Sequence, residues 1–350
     1  MENNLYGSAK MYKAHKPKKL SDKKNNDEYI QKMLDSDLYF GQIKKDGHYA
    51  MFEKDMQGNC YVFSRGISTK TGLLSEKSAN IPHIVEYLDS KLPNGTILLG
   101  EAYYQGKTSK DVAKIMGCSS AKAVRRQLDG EKLQYYIFDI LSYDNVDYIE
   151  NKCNHLKRYF MLKQVIDMYH LLDNEYIEFA KATFDNLGDF IQTNFDNGEE
   201  GSVLRRKDKL YMQGKRPVDS MIKFKTEELH DVICMGFEEP THEYTGSELD
   251  DWKYFDTNEN PITKAYYKGW IGAIRYGVYK NGVLIEIGKV SSGLTDDMLI
   301  KIKDNKSNFI NQPFTIQAMS IDKEKLRHPR LMEWRKDIPF EDCTWDKIFN

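Results

Sequence analysis

The sequence predicts an α+β fold built as two domains, and three observations predict it. Between residues 38 and 65, short apolar stretches follow one another at strand length: 39–43, 49–52 and 61–63, the last two separated by the turn signal of residues 55–59. Farther on, isolated strands alternate with segments of helical period. Near residues 227–230 the character changes, and the remaining chain reads as mostly strand. The boundary therefore falls near residue 228, giving domains 1–228 and 229–350.

Each element has its own local reason. Residues 1–25 are polar and basic, an extended arm or short strand packed on the first domain. Residues 27–34 and 81–88 read as helices. Pro93-Asn94-Gly95 turns the chain into a buried strand over 96–103. Ser119 or Ser120 caps a helix that runs through Gln127 and is stopped by Gly130. A strand covers 133–141, and the longest helix is expected over 155–172. Leu187, Phe190, Ile191 and Phe195 recur at helical spacing, ended by Asn197-Gly198. Strands follow at 202–205 and 220–224. In the second domain strands are expected at 232–237, 271–276, 277–279, 283–287 and 314–319, with a hairpin turn at Asn281-Gly282 and a helix at 295–302. Five short strands with one intervening helix fit an OB-fold barrel. The polar segment 241–268 is long for a connection in such a barrel and is a candidate latch or clamp loop. Its acidity argues against a simple phosphate contact, so a plain surface insertion is the competing reading.

Bulk properties bound the function. At 350 residues the chain accommodates two cores. Mean hydropathy is −0.65, and no apolar run approaches the roughly 20 residues of a membrane span. Met1-Glu2-Asn3-Asn4 lacks the basic-then-apolar layout of a signal peptide. The five cysteines form no C-x-x-C pair, which argues against a zinc ribbon or a disulfide framework and for a reduced, cytoplasmic protein. The net charge of −2 is unlike that of a nucleic-acid binder, but its distribution is not. Lys10, Lys13, Lys16, Lys18, Lys19, Lys23 and Lys24 crowd the N-terminus. Lys107, Lys110, Lys114, Lys122, Arg125 and Arg126 form a second cluster, and Arg205, Arg206, Lys207, Lys209, Lys215 and Arg216 a third. Phosphate binding depends on such local surfaces rather than on total charge. The competing reading is that these are solvated faces of ordinary helices.

The residues that carry chemistry begin with Lys44-Lys45-Asp46-Gly47, at the end of an apolar run. A lysine attacks phosphorus only when deprotonated, a state favoured by partial burial and neighbouring cations. Gly47 permits a tight turn and close approach of a ligand. Gly100-Glu101, Phe138-Asp139, Glu200-Gly201, Lys223-Phe224-Lys225 and Arg335-Lys336-Asp337 follow in order. Glu101 ends an apolar strand, where a carboxylate needs a partner. Lys223 and Lys225, two apart on a strand, point to one face. For each there is a structural alternative: a turn carboxylate for Asp46, a solvated strand-end cation for Arg65, a core aromatic for Phe138, a solvated basic face for Lys223 and Lys225.

Taken together, this ordered series resembles the motifs of ATP-dependent polynucleotide ligases of the compact virus type, within the covalent nucleotidyltransferases, over roughly residues 40 to 346. The resemblance implies a nucleotidyltransferase (adenylation) domain of antiparallel sheets with flanking helices, followed by a C-terminal OB-fold β-barrel. It implies that Lys44 takes AMP from ATP, that Asp46 lies at the nick 3′-hydroxyl, and that Arg65 after Ser64 contacts the nick phosphate. It implies that Gln42, Glu101 and Phe138 hold the nucleotide, Glu101 at the ribose and Phe138 stacked on adenine. Glu200 would bind Mg²⁺ (or Mn²⁺), with Glu199 as fallback; one carboxylate suffices for an ion that keeps its waters. Lys223 and Lys225 would hold the α-phosphate, and Arg335 and Asp337 would reach the pyrophosphate on domain closure. Lys107, and Lys289 and Ser291 within an OB-domain turn at 288–293, would touch DNA. The Cys343-Thr344-Trp345-Asp346 string is similar to the ends of compact ligases. The implied partner is nicked duplex DNA bound by a monomer, with no membrane and no identifiable protein partner.

Three positions depart from the family pattern. Tyr49 stands where an arginine is usual, Leu99 where an acid often precedes Gly-Glu, and Ile338 where the closing motif usually ends in lysine. An RNA ligase, an mRNA-capping guanylyltransferase and a non-catalytic nick-binding protein are the alternatives. The closing Arg335-Lys336-Asp337 and the OB-like half argue against most RNA ligases. Ser64-Arg65 and residues 326–334 argue against the guanylyltransferase.

Overall fold

The computed structural model describes residues 6–17, 27–68, 71–128, 130–217, 219–225, 228–246, 252–318, 320–322 and 324–349. Two compact units divide the chain, Met1–Lys225 and Thr226–Asn350.

The first unit runs α1 (Asp27–Leu34), β1 (Tyr39–Lys44), β2 (His48–Lys54), β3 (Cys60–Ile67), β4 (Leu74–Glu76), α2 (Pro82–Lys91), β5 (Thr96–Tyr103), α3 (Ser109–Met116), α4 (Ser120–Leu128), β6 (Gln134–Tyr143), β7 (Val146–Asp147), α5 (His155–Met168), β8 (Ile177–Phe179), α6 (Leu187–Asp196), β9 (Gly201–Arg206) and β10 (Met221–Lys225). The larger sheet has the order β4-β3-β2-β5-β6-β7, antiparallel apart from β8, which adds to β6 in parallel. β2 and β5 are buried on both faces, which explains their near-continuous apolar runs. One face packs Leu88, Leu162 and Ile166 from α2 and α5. The other packs Met51, Phe63 and Leu99 beneath Ala9, Tyr12 and Ala14 of the N-terminal segment. Asp55 makes the β2–β3 turn by accepting from the backbone N–H of Gln57 (2.9 Å) and Asn59 (2.8 Å). A smaller antiparallel sheet, β1-β9-β10, carries the candidate nucleophile.

Residues 6–17 lie along this unit as a strap. The backbone N–H of Met11 donates to Glu53 (3.3 Å), and Tyr211 Oη donates to the Lys13 carbonyl (2.9 Å) while accepting from the His15 N–H (3.0 Å). Residues 1–5 and 18–25 of the expected arm, with Lys18, Lys19, Lys23 and Lys24, lie outside the described residues. The short strands β4, β7 and β8 were not expected from the sequence, and two helices differ from expectation as well. α3 was not anticipated as a helix, because its sequence reads first as a run of charged and small residues. α5 stops at Met168 rather than 172, because His170 adopts a left-handed backbone (φ 49°) that breaks the helix.

The second unit runs β11 (Glu228–Glu238), α7 (Lys264–Lys268), β12 (Ala273–Lys280), β13 (Val283–Val290), α8 (Asp296–Asp304), β14 (Pro313–Ala318), β15 (Ser320–Asp322), β16 (Lys325–Arg327), β17 (Arg330–Trp334) and α9 (Asp346–Phe349). Its five-stranded sheet has the order β13-β12-β11-β14-β17, all antiparallel. Val232, Ile274, Val278, Phe314 and Ile316 fill its core together with Ile302 of α8. The expected strands at 271–276 and 277–279 are one strand with a register shift at Tyr276/Gly277. The fifth strand of the sheet is β17, supplied by the tail read from sequence only as a motif. The turn expected at 288–293 is displaced as well: β13 continues through Val290.

Between β11 and β12 the polar insertion is folded on itself. Tyr244 stacks on Trp252 (3.5 Å), Trp252 Nε1 donates to the Ile262 carbonyl (2.8 Å), and Thr263 caps α7. Residues 247–251 of this segment lie outside the described residues.

Candidate active site

β1 delivers Lys44 at its end, opposite Gly201 of β9, and Gly201 is in turn opposite Lys225 of β10. Gly201 sits at φ 145°, and a Cβ there would collide with the Phe224 carbonyl, so only glycine lets the three strands close at this point. The register places Glu200 between two lysines. Its carboxylate is ion-paired with both Lys44 and Lys225, all three side chains being largely buried. Lys223, two residues back on β10, is depressed from the usual lysine range by burial first, then by Lys225, Lys44 and Arg216, against the pull of Glu200.

Gly47 makes the next contact. A Cβ at this position would press into the Ala102 carbonyl and the Glu101 side chain, so the loop after Lys44 lies directly on β5. Glu101 is pushed up to about 7 by burial, opposed by Lys44 and Arg65 and reinforced by Glu200 and Asp46. Asp46 accepts a hydrogen bond from the Ser109 backbone N–H (3.0 Å), tying this loop to the start of α3. Arg65, exposed on β3, lies over the ring of Tyr49 (5.4 Å). The aromatic that replaces the usual arginine thus supports another arginine from below.

A second pair stands beside the first. Lys45 Nζ is bonded to Glu199 (2.9 Å) and lies over the rings of Tyr103 (5.2 Å) and Tyr136 (5.7 Å). Tyr103 Oη donates to Glu178. Lys45, Tyr136 and Glu178 line a hollow of about 490 Å³ with Ile43, Phe179 and Lys181. Phe138, at a register shift between β5 and β6, is partly buried against Tyr103 and Tyr136.

Beneath this floor is a network that sequence reading did not identify. Asp139 accepts from Arg158 Nε and Nη2 (2.9 Å each) and from Arg205, all three fully buried. The two guanidinium groups hold the Asp139 carboxyl far below the usual range despite its burial. Arg205 Nη1 also donates to the Phe138 carbonyl (2.7 Å) and to Gln42 Oε1 (3.3 Å), while Gln42 Nε2 donates to the Ala180 carbonyl (2.8 Å). The Gln42 side chain is therefore spent inside the fold. Arg205, expected on a basic surface, is a buried ion-pair partner, a correction that follows from its position on β9 under β6. Its neighbours Arg206 and Lys207 pair with Asp208 and Asp37.

The structure thus brings Lys44, Asp46, Arg65, Glu101, Glu200, Lys223 and Lys225 into one neighbourhood, with Phe138 beside it. Lys107 stands apart, paired with Glu131 (2.6 Å). In the second unit Arg335 is bound to Asp337 (2.6 Å), which brings the Asp337 carboxyl down to about 2, and approaches Asp231 (3.6 Å). Lys289 pairs with Glu238 (2.7 Å), and Ser291 is exposed. Tyr103 was within reach of sequence reasoning, two residues past Glu101 on the same strand face. Arg158 was not, since nothing local links it to Asp139.

Among the described residues no three His, Cys, Asp or Glu side chains gather into a metal cage. The donor set nevertheless fits a hard divalent ion that retains most of its waters. Glu200 offers two carboxylate oxygens, with Glu199 adjacent in sequence.

Comparison with known proteins adds an independent line. Residues 19–225 match the family model described as "ATP dependent DNA ligase domain". A DNA ligase of Methanococcus aeolicus is 26% identical over 307 residues, covering 77% of this chain and 48% of the relative. One from Methanocorpusculum labreanum is 24% identical over 269 residues, covering 75% and 41%. The chain spans less than half the length of these curated relatives. Among solved structures, one named Pmar-Lig_Pre aligns with a TM-score of 0.63 at 18% identity, over 93% of this chain and 68% of that one. A Lig E DNA ligase, described as binding DNA with a minimal scaffold, aligns with a TM-score of 0.57 at 14% identity, over 92% and 99%. These likenesses concern the fold.

Proposed function

The chain belongs to the ATP-dependent DNA ligase family, and from that premise we propose that it seals 3′-hydroxyl/5′-phosphate nicks in duplex DNA through a lysyl-AMP and a DNA-adenylate. One observation carries the reading: a single carboxylate, Glu200, holds Lys44 and Lys225 together beside Lys223 and Glu101. The same geometry favours Lys44 over Lys45 as nucleophile, since Lys45 pairs with Glu199 among tyrosines.

In the first step Lys44 Nζ, having lost its proton, attacks the α-phosphorus of ATP; a P–N bond forms and the bond to pyrophosphate breaks. Lys223 and Lys225 neutralise the α-phosphate, and Glu101 takes the ribose hydroxyls. Mg²⁺ held by Glu200 would neutralise charge on the phosphates. Engagement of Glu200 elsewhere also releases Lys44 from its ion pair. In the second step a 5′-phosphate oxygen takes AMP and frees Lys44. In the third the 3′-hydroxyl, oriented by Asp46, attacks that phosphate and AMP leaves. Catalysis rests on positioning and charge neutralisation. Arg335 and Asp337 act in the first step.

The domains we assign are a nucleotidyltransferase domain over 1–228 and an OB-fold over 229–350. Support for the barrel comes from a parallel bridge between Ser292, just past β13, and Arg330 at the start of β17, with the Leu331 N–H donating to the Ser292 carbonyl (2.9 Å). That contact joins the two edge strands of the sheet β13-β12-β11-β14-β17, the closure a five-stranded barrel requires.

The test is sealing of a 5′-phosphorylated nick with ATP and Mg²⁺, beside Lys44→Ala and Lys45→Ala. Lys44→Ala is expected to abolish both sealing and the AMP adduct seen by intact mass, while Lys45→Ala retains the adduct. An adduct that survives Lys44→Ala sinks the assignment. An adduct formed from GTP and not ATP favours the guanylyltransferase.

A further inference from the structure

Between β5 and β6 the chain inserts two helices, α3 and α4, joined by Gly117-Cys118-Ser119. A three-residue turn containing glycine joins the two short helices. The sequence is built for it. A Cβ at Gly117 would press to 2.6 Å from the Ala113 carbonyl. Val112, Ile115 and Met116 on α3 and Ala123 on α4 turn inward and join the core.

The pair is locked, not loosely attached. Asn80 Nδ2 donates to the carbonyls of Ile115 (2.8 Å) and Cys118 (3.1 Å), at the end of α3 and in the turn. Gln127 Nε2 donates to the Asn80 carbonyl (2.7 Å), and Gln127 Oε1 accepts from the Leu133 N–H (3.1 Å). The Ser109 N–H to Asp46 bond fixes the first residue of α3 to the loop that follows Lys44.

Charge on this unit is unevenly spent. Lys107 is paired with Glu131 and Lys114 with Asp111, and Arg126 donates to the Lys114 carbonyl. Lys122 and Arg125, three apart on the exposed face of α4, have no acidic partner among the described residues. A rigid helix presenting two cations that have no acidic partner among the described residues matches a surface of regularly spaced phosphates.

We propose that the α3–turn–α4 unit is a duplex-binding element in which the outward face of α4, through Lys122 and Arg125, engages the DNA phosphate backbone beside the nick. The inference rests on the ligase reading and adds a contact surface outside the catalytic cluster. Contacts of this kind position the protein without reading sequence, which suits an enzyme that acts wherever a nick occurs.

The experiment measures binding to a nicked duplex carrying a 5′-phosphate by fluorescence anisotropy, without ATP and with chelator, over about 50 to 200 mM salt. Two lost phosphate contacts make the slope of log affinity against log salt shallower by about 1.8. The Lys122→Ala/Arg125→Ala variant is therefore expected to show that change and at least roughly tenfold weaker binding at 0.1 M salt. Lys122→Arg/Arg125→Lys should keep both values, and AMP-adduct formation without DNA should be unchanged in either variant. Wild-type slope and affinity in the alanine variant, with an intact adduct, overturn the proposal. Should the alanine variant also lose the adduct, Lys122→Gln and Arg125→Gln, each expected to lower the slope by about 0.9, carry the same test. A wild type that forms the adduct but binds no duplex overturns this inference together with the duplex-DNA substrate, and leaves nucleotidyl transfer to Lys44 standing. One that does neither overturns the ligase reading with it.

Discussion

Glu101 shows how one residue couples stability to function. Its carboxyl is pushed up to about 7 by burial next to Lys44 and Arg65. Between the ordinary glutamate range and pH 7 the folded chain binds a proton that the unfolded chain has released. Stability therefore falls as pH rises through that window. Glu101→Gln removes the penalty. The variant is expected to be more stable than wild type above pH 7, by up to about 3 kcal/mol, and to gain nothing near pH 4. It should nonetheless form less AMP adduct, because one neutral amide oxygen replaces the two carboxylate oxygens that accept from the ribose hydroxyls. Urea unfolding across pH reads the first effect; equal stability at pH 8 would show that burial does not control this group. Gly201 and Gly47 belong to the same scale: each is glycine because a neighbouring carbonyl occupies the space of a Cβ.

Among elements, the site depends on how β6, β9 and α5 are held. Asp139 of β6 fastens Arg205 of β9 and Arg158 of α5, and Arg205 reaches back to the Phe138 carbonyl. Removing one member of such a buried ion network leaves unpaired charge in a low-dielectric interior, at a cost of about 3–5 kcal/mol. Asp139→Asn is expected to lose that much in urea unfolding, even though Asp139 does not face the proposed nucleotide. A loss below about 1 kcal/mol would mean the arginines find other partners. The elements themselves were largely legible. α1, β5 and α6 follow from local signals: a short amphipathic run, an apolar run at 97–99 after Pro-Asn-Gly, and a helical period closed by Asn-Gly. α3 was not, because its inward residues Val112, Ile115 and Met116 are interspersed with lysines and small residues. β17 was hidden in the same way, a strand within a motif.

At the scale of the molecule, each unit has its own core, one built around Phe52, Leu98 and Leu162, the other around Val232, Ile274 and Phe314. Cores that share no residues predict separable stability. Differential scanning calorimetry is expected to resolve two transitions, and Val232→Ala, which opens a cavity in the second core, should lower only one of them. A single transition moved as a whole by that exchange would make the two units one cooperative body. The described residues contain no helix long and apolar enough to cross a membrane.

The sequence by itself determined the order of the chemistry. Lys44, Asp46, Gly47, Glu101, Glu200, Lys223 and Lys225 stand in short patterns whose meaning depends on neighbours one to three residues away, and strand periodicity alone puts Lys223 and Lys225 on one face. It also indicated two domains, since the change in character near residue 228 is a change in local propensity. Only the tertiary structure decided that Glu200 is shared between two lysines, that Arg205 is buried on Asp139 instead of exposed to phosphate, and that Tyr49 lies beneath Arg65. The first two are contacts between segments far apart in the chain, and the third spans the β2–β3 hairpin. Register and sheet order fix them, and no local pattern encodes which of several carboxylates a given lysine or arginine will meet.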